Sequence, residues 1–490
     1  MHHVPAIRIR SVNDQPIHGD GDFVLYWMTA FRRVRFNFSL QRAIEHCRTL
    51  GKPLVILEAV RTRYPWASDR LHHFIIQGMA DNDAAVEKTK NPGVIYYPYV
   101  EPDHGKGSGL LAALAKRACL VVTDDFPCFF LPQLVKLAGR QLPLLVEAVD
   151  SNGLVPLRGT DHVFTMAFHF RRWLQKNLSP WLEKSEFPVA DPLRNELPQI
   201  EPLPKSITNR WKPADLTALL SESGLAKLPI DHEVKPTKTN GGTVAAEKVL
   251  KEFLKHRLSR YKEERNQPEQ EVASGVSPYL HFGHLSVHEI FHAAAKLEDW
   301  SLDCLAKKAT GKNEGWWGTS PQLESYLDEL ITWREIGFNF CTHRQDYDKY
   351  DSLPDWCQKT LEKHARDKRP NLYELPEFEA AKTYDPLWNA AQRQLVREGR
   401  IHNYLRMLWG KKVLEWSASP QEALQTLIHL NNKYALDGRN PNSYSGIFWC
   451  LGRYDRPWAP ERPIFGMIRW MSSDNTARKV RVKNYLRQYA

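Results

Sequence analysis

Between residues 23 and 149, short runs of β-branched and aromatic residues alternate with stretches of helical period. The runs are FVLYWM (23–28), PLVILEAV (53–60), GVIYYPYV (93–100), CLVVTDD (119–125) and LPLLVEAV (142–149). Helical patterns fill 37–50, the stretch from Ser68, 110–118 and 129–140. Five short strands separated by helices predict a doubly wound parallel sheet of Rossmann-like plan. The first strand is not followed by G-x-G-x-x-G, which disfavours an ordinary dinucleotide site. Gly105-Lys106-Gly107-Ser108-Gly109 lacks the spacing of a phosphate loop and predicts a helix start. From about 185 to 240 the periodicity fails and prolines cluster at 188, 192, 198, 202, 204, 213, 229 and 236, the pattern of a linker laid over the surface. Beyond Gly241-Gly242 the chain reads as helices almost without strands, over 244–265, 284–297, 321–340, 354–366, 386–398, 400–416 and 420–435. The expected fold is α/β plus all-α: an α/β domain at 20–184, a linker at 185–242 and an all-helical domain at 243–490 that holds the functional site.

A chain of 490 residues with 42% hydrophobic composition can bury two cores. The net charge of +10, without long blocks of one sign, makes a polyanion a natural partner. Seven scattered cysteines with no C-x-x-C pair point to a reducing interior rather than a disulfide framework or zinc ribbon. No apolar run approaches a membrane span, and the polar start lacks the core of a secretory signal, so a soluble intracellular protein is expected.

Leu430–Trp470 mixes turn formers, amides, arginines and aromatics, a composition suited to the wall of a binding cavity. On the helix predicted before it, Asn403 and Arg406 share a face at i and i+3, and Asp437 is a natural partner for Arg406, either in a ligand site or as a structural salt bridge. Trp409 and Trp416 lie seven apart, about 10 Å along one helix face, and Trp388 can extend the row. Such a row is either packed core or a path for electrons. Tyr261 and the segment Ser274, Gly275, Val276, Ser277 stand before a helix, where hydroxyls and free N–H groups suit a pyrophosphate. Glu329 and Trp333 are one helical turn apart, and with Trp449 they supply two flat walls and an acid for a flipped-out base. His288-Glu289-Ile290-Phe291-His292 matches the H-E-x-x-H zinc helix, but no third ligand follows and its neighbours read as packed core, so no metal is expected.

Together SGVSPYLHFG (274–283), ELITWREIGFNF (329–340), NYLRMLWGKKVLEW (403–416) and LDGRNPNSYSGIFWCLGRYDRPW (436–458) resemble the class II cyclobutane pyrimidine dimer photolyases of the photolyase/cryptochrome family. The likeness covers the helical half almost end to end and the α/β half in plan. It implies FAD, anionic and reduced in the active state, with Tyr261 and Ser274 to Ser277 near its phosphates and Arg334, Asn403, Arg406 and Asp437 around the flavin. Asn431 would face flavin N5, supported by Asp455 and Arg456. Trp388, Trp409 and Trp416 match an electron-transfer chain to the surface. Trp333 and Trp449 match residues that pack on the dimer, Glu329 the acid that bonds the pyrimidine carbonyls, and Met407 a contact beneath the lesion. Arg469 matches an arginine that enters the gap in the duplex, with Trp458 nearby. The implied partner is UV-damaged DNA, the implied state a monomer, and the implied location the cytoplasm, at the nucleoid in a prokaryote. Gly315-Trp316-Trp317-Gly318 and Phe126-Pro127-Cys128-Phe129-Phe130 are not family patterns, and the second leaves an antenna chromophore unassigned. A cryptochrome-like light sensor is the alternative, disfavoured by the joint presence of Glu329, Trp333, Trp449 and Arg469.

Overall fold

The structure is a computed structural model and describes residues 3–194 and 196–490. The chain packs into two compact units. The first comprises the chain up to Thr160 with Leu178–Leu250 and Val276–Lys296; the second comprises Asp161–Asn177, Lys251–Gly275 and Leu297–Ala490.

The first unit is built on a six-stranded sheet with β1 Ile9–Ser11, β2 Phe23–Met28, β3 Leu54–Val60, β4 Val94–Val100, β5 Ala118–Asp124 and β6 Val146–Val149, in the order β1-β6-β5-β2-β3-β4. β2 to β6 pair in parallel and β1 adds an antiparallel edge beside β6. Every residue of β2 is buried. Val24, Tyr26 and Met28 face one apolar layer and Phe23, Leu25 and Trp27 the other, which is the two-sided burial that a parallel sheet with helices on both faces requires. The five predicted strands are present. The edge strand β1, only Ile-Arg-Ser, is too short and too polar to show a period.

Residues 185–242 do more than cross the surface. Leu193 and Leu197 belong to one apolar layer of the sheet, and Ile207 and Trp211 to the other, where the Tyr97 hydroxyl donates to the Trp211 carbonyl. Their spacing is irregular, so no periodicity announces it.

The turn after β2 explains the missing dinucleotide fingerprint physically. The N–H groups of Thr29, Ala30 and Phe31 converge on Asp124 Oδ2 at 2.8, 2.7 and 2.9 Å, and the Tyr26 hydroxyl donates to Oδ1 at 2.9 Å. A buried carboxylate from β5 thus occupies a ring of amides of the kind that holds phosphate in nucleotide-binding sheets. Gly105–Gly109 leads into the helix Leu110–Ala115, as predicted, with the Gly107 N–H bonded to Glu101. In the loops after β3 and β5, Trp66 stacks on Phe129 at 6.2 Å and Tyr64 lies 5.7 Å from Phe130. In the helix Val287–Lys296, His288 is fully buried against Phe38 and Phe187 while His292 is exposed, so the two histidines of the zinc-like motif do not share an accessible face.

The second unit is helical. The predicted helix 321–340 is interrupted: Pro321–Leu327 and Arg334–His343 are α-helical, and Asp328–Trp333 between them is a π-turn. Widening of this kind leaves the apolar pattern intact, so sequence periodicity does not reveal it, and it is frequent at functional sites. A second π-turn, Phe253–Arg257, breaks the predicted helix 244–265 after Thr243–Glu252. Asp385 caps Pro386–Glu398 by accepting from the Leu387 and Trp388 N–H groups, each at 3.0 Å. Asn440 caps Pro441–Cys450, with proline at the position whose N–H has no partner anyway. Two glycines let that helix sit close to its neighbours. A Cβ at Gly337 would lie 2.7 Å from the Pro441 carbonyl, and one at Gly410 2.3 Å from Cys450 Sγ. Among the described residues no helix is long and apolar enough to cross a membrane.

Candidate functional site

The π-turn and the helix Pro441–Cys450 bring three of the expected residues together. Trp333 and Trp449 stack face to face, with centroids 4.4 Å apart and planes 12° apart. They form one two-layer slab, not two walls with a slot, because a ring inserted between them needs roughly twice that spacing. Both rings are half-buried. On the same π-turn Glu329 is ion-paired with Arg265, and the Arg265 guanidinium lies 5.5 Å from the Tyr261 ring centroid. Desolvation raises the Glu329 carboxyl above its usual range, aided by neighbouring Asp328 and opposed by Arg265. Asp328 is itself held by Arg171 at 2.6 and 2.9 Å. Arg265 had no role assigned from sequence; its i,i+4 spacing from Tyr261 was the available signal.

Beneath the slab, Lys411 is completely buried on the helix Asn403–Trp416, with Nζ 3.4 Å from the Trp449 carbonyl. Burial lowers its pKa, while Cys450 and Asp455 counteract the shift. Lys411 was not singled out from sequence, although a lysine pair inside an apolar helix is a signal. Half-buried Met407 precedes it by one turn.

Arg406 and Asp437 pair at 3.5 Å, and the Ser443 hydroxyl donates to the Asp437 carbonyl at 2.7 Å. Asn431 is 5% exposed and donates to Asn432 Oδ1 at 3.3 Å; Asn432 also accepts from the Arg439 N–H at 2.8 Å and donates to the Tyr444 hydroxyl at 3.2 Å. Among the described residues, no hydrogen bond links Asp455 or Arg456 to Asn431. Arg456 lies over the exposed Trp458 ring at 5.3 Å, and Arg469 over the same ring at 5.2 Å. Arg334 is buried, 4.3 Å from the Phe338 centroid, and Asn403 is exposed at the start of its helix. Tyr261 is buried among Phe253 and Tyr326, and desolvation, with Glu329 nearby, raises its pKa. The Arg257 guanidinium fixes the backbone before Gly275 by donating to the Ala273 and Ser274 carbonyls at 2.7 and 3.5 Å. Ser277 begins the helix Ser277–His281 directly after Val276, and both belong to the first unit. The Gly-Trp-Trp-Gly segment is tied down by Glu324, which accepts from the N–H groups of residues 315, 316 and 317 at 2.7, 2.8 and 3.0 Å.

The three tryptophans form a contiguous row in the order 409, 388, 416. Trp388 lies 6.5 Å from Trp409 with planes 5° apart and 5.8 Å from Trp416 at 68°. The Trp388 indole donates to the Trp409 carbonyl and the Trp409 indole to Gln392 Oε1, each at 3.0 Å.

Buried polar atoms without a hydrogen-bond partner among the described residues include Trp449 Nε1, Asp455 Oδ2, His402 Nδ1 and Gln392 Nε2. Such a group costs about 1–3 kcal/mol unless a partner arrives. Burial pushes the His402 imidazole down to about 4, so it stays neutral at physiological pH. Unpaired buried donors and acceptors of this kind, with Asn431 and the Arg406–Asp437 pair, are the chemistry that a large polar heterocycle such as a flavin requires.

No family model matches the chain. It is 31% identical over 484 residues to the deoxyribodipyrimidine photo-lyase of Methanothermobacter thermautotrophicus, covering 99% of this chain and 98% of that protein. It is 31% identical over 496 residues to the enzyme of that name from Potorous tridactylus, covering 98% and 84%. The counterpart in Oryza sativa subsp. japonica is 32% identical over 485 residues, covering 95% and 87%. Among solved structures, a bacterial class III photolyase from Agrobacterium tumefaciens superposes with a TM-score of 0.65 at 17% identity, covering 96% of this chain and 86% of that one. The Synechocystis cryptochrome superposes with a TM-score of 0.64 at 15% identity, covering 100% and 89%. At those identities the two structures speak for the fold. Identity above 30% maintained along almost the whole length is what decides kinship, and by that measure the chain belongs to the deoxyribodipyrimidine photo-lyase family.

Proposed function

We propose that this protein is a class II photolyase that uses light to split cyclobutane pyrimidine dimers in DNA. The full-length kinship with photo-lyases carries the reading, and the meeting of Glu329, Trp333 and Trp449 at one π-turn supports it. Bound FAD, in its reduced anionic form, supplies the excited-state electron that opens the cyclobutane ring. The chain's own residues bind, orient and shield. Arg334, Asn403, Asn431 and the Arg406–Asp437 pair hold the flavin. Tyr261, Ser274 and Gly275 serve its phosphates.

The outer face of the Trp333–Trp449 slab packs on the extruded dimer, and Met407 supports it from below. Extrusion is the established strategy of photolyases, and a poorly stacked lesion costs less to extrude. Glu329 hydrogen-bonds the pyrimidine carbonyls, and desolvation raises its carboxyl above its usual range against the opposing Arg265 cation. Arg469 enters the gap in the duplex beside the exposed Trp458 ring, over which Arg456 also lies. Asp455 acts on the site electrostatically, through buried Lys411. Trp409, Trp388 and Trp416 deliver electrons that keep the flavin reduced. The test is lesion choice: duplexes carrying either a cyclobutane dimer or a (6-4) photoproduct are illuminated with the reduced protein. Restoration of the cyclobutane substrate alone supports the reading, and restoration of the (6-4) lesion alone refutes it. A light sensor of cryptochrome type shares the fold and repairs neither.

A further inference from the structure

The π-turn that carries Glu329 and Trp333 is pinned at both ends. On its exit side the helix Arg334–His343 is locked in register, because a Cβ at Gly337 would lie 2.7 Å from the Pro441 carbonyl of the helix that carries Trp449. On its entry side Glu324, on the helix Pro321–Leu327, holds the Gly-Trp-Trp-Gly segment through three amides. Each residue turns an α-helix by about 100°, so closing the π-turn into regular helix would rotate one pinned end against the other by about that much. Two arginines reach this wide turn from outside. Two adjacent carboxylates on one poorly solvated turn repel, and both ionise only where each has its own counter-cation. Glu329 takes Arg265 and Asp328 takes Arg171. The Arg171 guanidinium forks onto both Asp328 oxygens, from Nε at 2.6 Å and Nη2 at 2.9 Å, and the two side chains are only 12% and 11% exposed. Its Nη1 donates to the Gly311 carbonyl at 3.4 Å. One turn on along the helix Ala167–Asn177, Gln175 accepts from the Gly311 N–H at 2.7 Å and donates to the Lys312 carbonyl at 2.9 Å. Gly311 has a φ of +77°, and a Cβ there would meet the Phe168 ring at 2.8 Å, so the loop lies directly on this helix. Helix Ala167–Asn177 and the loop 311–317 together brace the π-turn.

We propose that Arg171 is a positioning residue for lesion recognition, acting through Asp328 and the π-turn on Glu329 without touching the DNA itself. The proposal rests on the photolyase reading above, in which Glu329 bonds the pyrimidine carbonyls. A bidentate fork fixes the direction of the Asp328 carboxylate as well as its distance, and with it the backbone from which the adjacent Glu329 side chain departs. A lysine would supply the charge but not the fork. The Gly-Trp-Trp-Gly loop thereby acquires a role: it joins the helix that carries Arg171 to the helix that leads into the π-turn.

The test is binding of the FAD-loaded protein, in the dark, to paired duplexes that differ only in one thymine dimer. Arg171→Lys is expected to melt near the wild-type temperature and to bind the intact duplex as wild type does. On the damaged duplex it should lose about tenfold or more, the order of one charge-assisted hydrogen bond out of place. Arg171→Met combined with Asp328→Asn, which leaves no buried carboxylate unpaired, is expected to show the same selective loss. On a Glu329→Ala background neither change should cost further affinity for the damaged duplex, because the contact it disturbs is already gone. Wild-type preference for damage in both variants, with only the melting temperature lowered, overturns the proposal and leaves Arg171 a structural residue. An equal loss on both duplexes overturns it too, as does a loss that persists undiminished on the Glu329→Ala background. A wild-type protein with no preference for the dimer overturns it together with the photolyase reading.

Discussion

Removing one ring of the slab by Trp449→Ala is predicted to weaken recognition of damage without weakening general affinity for DNA. A base stacked on an aromatic side chain contributes about 1–3 kcal/mol by alanine substitution. At 1.4 kcal/mol per tenfold, that is roughly a 5- to 150-fold loss of affinity. The variant should stay folded. Stacking of this ring on Trp333, with centroids 4.4 Å apart, stabilises the fold by about 0.5–1.5 kcal/mol. The residue is half-buried, and its Nε1 makes no bond to lose. The assay is fluorescence anisotropy in the dark with paired duplexes, one carrying a thymine dimer and one intact. The expected result is a selective loss on the damaged duplex, with intact-duplex binding and its salt dependence unchanged. Trp333→Ala should act on the same duplex, and the double variant should lose less than the sum of the two, because touching rings are energetically coupled. Equal loss on both duplexes, or strictly additive losses, would refute the reasoning that the two tryptophans form one lesion-facing surface.

Trp388→Phe removes the ring that touches both Trp409 and Trp416, so flavin photoreduction is expected to fail while repair by chemically reduced protein persists; normal photoreduction in steady-state absorption would contradict this. Arg265→Met removes the cation that holds the Glu329 carboxyl down, so its protonation midpoint should move upward in a carbon-13 NMR titration; an unchanged midpoint would show that the pair is not coupled. Glu147, 6% exposed, loses water on burial, but bonds from His46 and Arg42 outweigh this and bring its carboxyl from 4.5 to about 2. A depressed acid stabilises the fold above its unfolded pKa and gives that stability up as pH falls through the folded value. About 3 kcal/mol should therefore be lost between about pH 4.5 and 2, and Glu147→Gln should flatten that limb of a urea-unfolding profile.

What the sequence revealed and what it hid follow from the range of the interactions involved. β2 was legible as a run of apolar and aromatic residues, and helix 386–398 from its start at Asp385-Pro386, whereas Asn440-Pro441, a turn former by composition, in fact caps the helix Pro441–Cys450. The seven-residue spacing of Trp409 and Trp416 showed a shared helix face. That Trp388 lies between them, and that Trp416 stays dry, depends on helices packing across the second unit. The Arg406–Asp437 pair was foreseeable from turn chemistry and charge. The π-turn at Asp328–Trp333, the Trp333–Trp449 stack and the Glu329–Arg265 pair were not, since each depends on backbone widening or on segments tens of residues apart. The amides of Thr29 to Phe31 closing on Asp124 escaped notice for the same reason. The three short residues of β1 and the scattered apolar positions of 185–242 carry no period to read.

Light-driven dimer splitting is tested most directly by incubating dithionite-reduced, FAD-loaded protein with an oligonucleotide bearing one thymine dimer, under near-ultraviolet or blue light and in darkness. Intact thymines are expected to return, resolved by chromatography, only in the illuminated sample. Bound reduced FAD with no repair in the light would contradict that function.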